Sequence, residues 1–77
     1  MPQRQSNGEA IRALREALGI KQEELAKRCG ITQGGLSNIE SGTRNASPET
    51  VVQLAKWLGV GVGAITSFPP ERTEAVA

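Results

Sequence analysis

The chain has 77 residues, with nine Lys and Arg against eight acidic residues, no His, no Tyr and a single Cys. That length supports one small domain around one core and excludes a catalytic domain beside a regulatory one. With glutamate as the only acid, no histidine and a lone Cys29, the sequence offers no zinc set, no internal disulfide and no enzymatic acid–base set, so no cofactor is implied; the net charge of +1 is also far from the strongly basic balance of an obvious nucleic-acid binder.

Residues 1–6 read as a flexible N-terminal arm and residues 7–66 as one helical domain. Ser6 with Glu9 three residues on forms a capping-box pattern, which predicts a first helix starting at Ser6 with Ile11, Leu14 and Leu18 on its apolar side and Gly19 at its end. A second helix is expected from about Gln22 to Arg28. Leu25, Ala26 and Cys29 lie on or beside its inner face, Glu23 and Glu24 suit its first turn, and Lys21 is a poor cap for it.

Gly30 supplies the left-handed residue that closes this helix, and Thr32 is a good cap for a third, Gln33 to Ser41, stopped by Gly42. After the polar loop TRNA, Ser47 caps a fourth helix with Pro48 at its first position; Val51, Leu54, Ala55 and Leu58 follow the spacing i, i+3, i+4, i+7. Val60, Val62 and Ile65 can form a last short helix weakened by Gly61 and Gly63, and residues 67–77 read as a flexible tail. No stretch alternates with period two long enough to argue for a strand. The expected fold class is therefore all-α, a compact bundle of four to five short helices.

Two short helices joined by a glycine-containing turn, the second with a polar outer face, form the helix-turn-helix arrangement that sets its second helix in the DNA major groove. Here that unit is QEELAKRCGITQGGLSNIES. Together with SPETVVQLAKWLGV, it makes the chain from Ile11 to Val60 resemble the lambda-repressor-like, Cro-type helix-turn-helix family. The resemblance implies a transcriptional regulator, repressor-like, that binds double-stranded DNA at a pseudo-palindromic operator as a homodimer in the cytoplasm. Neither a membrane partner nor a small-molecule ligand is implied. No apolar run of signal-peptide or membrane-span length occurs.

At 100° per residue, Leu36, Ile39 and Glu40 share one side of the third helix, while Gly34, Ser37, Asn38 and Ser41 point away from it and Gln33 projects from its end. The resemblance makes Gln33, Gly34, Ser37 and Asn38 the base-contacting set, and side-chain amides suit adenine N6 and N7. It makes Gln22 a phosphate contact, with Lys21, Thr32, Ser41, Thr43, Arg44 and Asn45 as supporting positions. Lys27 and Arg28 are either further phosphate contacts or simply solvent-facing. A solvated polar face is the bland alternative for the whole outer side of the third helix.

Gly34 and Gly35 each cost about 1 kcal/mol of helix propensity relative to Ala. Either their bareness admits close approach to DNA, or the Thr32 cap and the packing of Leu36 make glycine tolerable there. Arg15, four residues from Ile11, and Glu40, four from Leu36, lie on inward sides of their helices, so a buried salt bridge is expected between them; the resemblance implies the same pair. Cys29 reads as a small core residue. Trp57 falls off the apolar stripe of its helix, to be covered either by Phe68 or by a second subunit. Trp57, Val60, Val62, Ile65 and Phe68 are accordingly the candidate dimer interface. The rival to a DNA-reading protein is a helix-turn-helix module used mainly for protein contacts, such as an antitoxin or accessory subunit.

Overall fold

The computed structural model describes residues 5–67. Four α-helices run in order: α1 (Gly8–Ala17), α2 (Gln22–Cys29), α3 (Gln33–Ser41) and α4 (Pro48–Leu58). A 3₁₀ turn (Val62–Ile65) takes the place of the expected fifth helix, and two strands of two residues each, β1 (Gln5–Ser6) and β2 (Thr66–Ser67), bracket the bundle. The fold is all-α in its core.

Most helix boundaries have a local chemical cause. Thr32 Oγ1 accepts from Gly35 N and Ser47 Oγ from Thr50 N, so both predicted caps form. Pro48 sits in the first turn of α4. Gly30 closes α2 at φ 72°, ψ 27°, its N–H reaching the carbonyls of Ala26 and Lys27. Lys21 makes no side-chain cap, as its chemistry predicts.

The start of α1 differs from the expectation. Asn7, not Ser6, is its cap, with Asn7 Oδ1 accepting from Ala10 N at 3.1 Å. Ser6 is taken by tertiary bonds instead: its N–H and hydroxyl both donate to Asn45 Oδ1, at 2.8 and 2.9 Å, and its hydroxyl accepts from Ala46 N at 3.0 Å. Two neighbouring residues were equally fit to cap, and the loop before α4 claimed one of them. Gln5 and Ser6, read from sequence as the end of a free arm, pair antiparallel with Ser67 and Thr66.

The core is one cluster to which every helix contributes. Ile11, Leu25, Leu36, Leu54 and Ile65 are its largest fully buried side chains, and Val51, Ala55 and Leu58 complete the predicted stripe of α4. Leu18 is not part of it: it lies past the end of α1 and is exposed. Ile65, expected at a dimer interface, is completely buried in the chain's own core and offers a partner no surface. Gly8 allows the start of α1 to lie directly on the end of α3, because a Cβ there would stand 2.3 Å from the Ile39 carbonyl oxygen and 2.5 Å from that of Glu40.

Candidate nucleic-acid interface

α2 and α3 form the corner predicted from sequence. Gly30 turns the chain, Ile31 N donates to Ala26 O at 3.0 Å, and Thr32 starts the next helix. Ala26, almost fully buried, has no bulk to hold α2 away from its neighbours. With the corner fixed, α3 divides into two sides. Leu36, Ile39 and Glu40 are buried, whereas Gln33, Gly34, Ser37, Asn38 and Ser41 are exposed. The exposed set carries amides and hydroxyls, groups that read base edges in a major groove wide enough to admit a helix.

Beneath this surface lies a buried polar network. Glu40, 7 % exposed, accepts from Arg15 Nε at 2.7 Å and from a second Arg15 guanidinium nitrogen at 3.1 Å. A third Arg15 nitrogen donates to Ile20 O at 2.9 Å. Gln22 Nε2 completes the carboxylate's shell at 3.1 Å, and Gln22 Oε1 in turn faces Gln33 Nε2 at 3.5 Å. Four side chains from three helices thus connect the interior to the exposed amide of Gln33. The hydrogen bond to Glu40 raises the Arg15 pKa against the opposing pull of burial, with the Glu40 and Glu16 charges adding to the rise, so the guanidinium stays charged.

The other expected contact residues divide by what already holds them. Lys21, just ahead of α2, and Arg44, just after α3, are exposed, Arg44 with its backbone N–H on Asn38 O at 3.1 Å. Asn45 uses its side-chain oxygen on Ser6. Ser41 Oγ donates to Asn38 O at 3.1 Å and pairs with Thr43 Oγ1. Since Ser41's single proton is used on the carbonyl, Thr43 is the donor within that pair, and both hydroxyls brace the loop rather than present a proton outward. Arg12 escaped the sequence reading. It lines a recess with Gln22, Ser37, Glu40 and Ser41, a placement that no spacing along α1 reveals.

Trp57 is partly exposed, 38 %, and stacks with two cations: Arg28 Cζ lies 5.2 Å and Lys56 Nζ 5.4 Å from its ring centre. Arg28 is further held by Glu24 at 2.8 Å, so it faces α4 and solvent. Val60 is half-buried against the core, Val62 is exposed, and Phe68 lies outside the described residues. Cys29 packs against the core, and burial raises its thiol pKa.

Residues 11–65, spanning α1 to the 3₁₀ turn, match the helix-turn-helix family. The chain belongs to that family, in its lambda-repressor-like branch. Members of this helix-turn-helix family are DNA-binding regulators and not enzymes. An uncharacterized HTH-type transcriptional regulator of Sinorhizobium fredii, y4dJ, is 40% identical over 60 residues, 78% of this chain and 78% of its own. The HTH-type transcriptional repressor RghR of Bacillus subtilis is 39% identical over 57 residues, which cover 73% of this chain but 42% of the repressor. Among solved helix-turn-helix structures, the restriction-modification controller protein C.AhdI from Aeromonas hydrophila superposes with a TM-score of 0.70 at 33% identity, covering 74% of this chain and 86% of the controller. The P22 c2 repressor in complex with a synthetic operator gives 0.69, also at 33%, covering 71% and 83%. No helix among the described residues is long and apolar enough to cross a membrane.

Proposed function

We propose that this chain is a sequence-specific, repressor-like regulator that lays α3 in the major groove of double-stranded DNA and acts in the cytoplasm as a homodimer. The observation that carries the reading is the division of α3, with Leu36, Ile39 and Glu40 buried and Gln33, Ser37 and Asn38 exposed on a helix anchored by a fixed turn. Gln33 and Asn38 read base edges, their amides matching adenine N6 and N7, and Ser37 lies between them. Lys21, Thr32, Arg44 and Asn45 approach the phosphates and set register, and Gln22, whose side-chain amide is turned inward onto Glu40, meets them with its backbone N–H at the head of α2.

A second copy doubles the few cations and places two reading helices about one helical turn, ~34 Å, apart on a pseudo-palindromic operator. Val62 and Val52, 41 % and 54 % exposed, are large apolar side chains that line one surface recess with Pro48 and Val51 and extend the candidate interface, now without Ile65. Titrating duplexes selected from a random pool at several salt concentrations tests the reading, with sedimentation of the complex to count subunits. The expected result is one enriched, two-fold symmetric site whose affinity falls steeply with salt. Absence of salt-sensitive binding to any duplex favours the protein-contact alternative.

A further inference from the structure

Gly34 is a helical glycine for which the fold has no use. The two glycines that sit at comparable places have causes within the chain: at Gly8 a Cβ would collide with backbone oxygens of α3, and at Gly35 it would press to 3.1 Å on the Thr32 hydroxyl that caps the helix. At Gly34 a Cβ would meet nothing within 4 Å. Nor does the backbone require it, since Gly34 lies within α3 and its φ is not positive. In such a position glycine weakens a helix relative to alanine, through the extra freedom of the unfolded chain.

The position is also the first of the exposed stripe 34, 37, 38 and 41, spaced i, i+3, i+4, i+7 along α3. Gln33 just before it reaches towards Gln22 on α2. The first turn of the reading helix therefore presents bare backbone where its stripe begins. We propose that Gly34 is a specificity-determining residue, kept bare so that the α3 backbone can come into van der Waals contact with the base edges. This deepens the DNA-reading proposal and rests on it. Shape at one base step per half-site, rather than a side-chain hydrogen bond, is then what position 34 selects.

The test compares the unsubstituted chain with Gly34→Ala and Gly34→Gln, using duplexes selected from a random pool and thermal unfolding of each protein. Gly34→Ala is expected to raise Tm by roughly 4 to 8 °C and to weaken binding to the selected duplex by about tenfold or more. Reselection with Gly34→Gln is expected to change the preferred base at one or two adjacent positions in each half-site and leave the rest. Equal affinity and an unchanged preference in Gly34→Ala overturn the proposal while leaving DNA reading intact. A lowered Tm also overturns it, because the fold would then need the glycine. If the unsubstituted chain shows no salt-sensitive binding, both proposals fall together.

Discussion

Glu40 Oε1 accepts a hydrogen bond from the Gln22 side chain at 3.1 Å, so a carboxylate of α3 orients the amide at the head of α2. A carboxylate only accepts, and Gln22 must therefore turn its NH₂ inward and its oxygen towards Gln33. The Arg15 side chain that completes the arrangement is 12 % exposed. Glu40→Ala strands that cation away from water and is expected to cost about 3 to 5 kcal/mol in chemical denaturation, whereas Arg15→Met with Glu40→Leu is expected to cost less than the single change. The raised Arg15 pKa contributes stability that is present below the ordinary arginine range and lost only as pH climbs above it, so this contribution is constant across working pH.

Gly8 tests how tightly the reading helix is seated. A Cβ at 2.3 Å from Ile39 O cannot be accommodated by a side-chain rotation, because the obstacle is backbone. Gly8→Ala is expected to destabilise by about 1 to 3 kcal/mol, like other overpacked sites. A calorimetric Tm equal to that of the unsubstituted protein would contradict the close packing of α1 on α3.

Base contacts and phosphate contacts should separate in mutants of the proposed DNA surface. Gln33→Ala is expected to relax preference at one position by about 1 to 3 kcal/mol. Arg44→Ala is expected to weaken all duplexes alike and to reduce the salt slope by about one. Fluorescence anisotropy on matched and singly altered sites reads both effects.

Cys29 gives a pH-dependent readout. Burial raises its pKa, so the native thiol stays protonated at pH values where the unfolded thiol ionises. The unfolded state then binds fewer protons than the native one, and stability falls as pH rises through the ordinary thiol range. Alkylation of the native protein is accordingly expected to be slower than that of a free thiol at the same pH, and denaturant is expected to remove the difference.

Much of this was readable in the residues. Caps at Thr32 and Ser47, stops at Gly30 and Gly42, and the stripe of α4 are local chemistry, and local chemistry is written in short spacings. The pairing of Arg15 with Glu40 followed from two inward charges of opposite sign. What escaped depends on partners distant in sequence. Ser6 left the cap to Asn7 because Asn45 lies beside it across 39 residues. The need for Gly8 appears only once α3 is packed against it. Strands of two residues carry no detectable period, and Ile65 passed for a surface residue because its short turn does not reveal which side faces in.

The ladder between Gln5 and Ser67 brings the two ends of the described chain side by side, at the ~5 Å spacing of paired strands. A short linker can join them with little distortion, and a new opening at Gly19, exposed between α1 and α2, would yield a circular permutant with the same bundle. By the same geometry, any segment fused ahead of Gln5 and any fused behind Ser67 depart from a single spot on the surface.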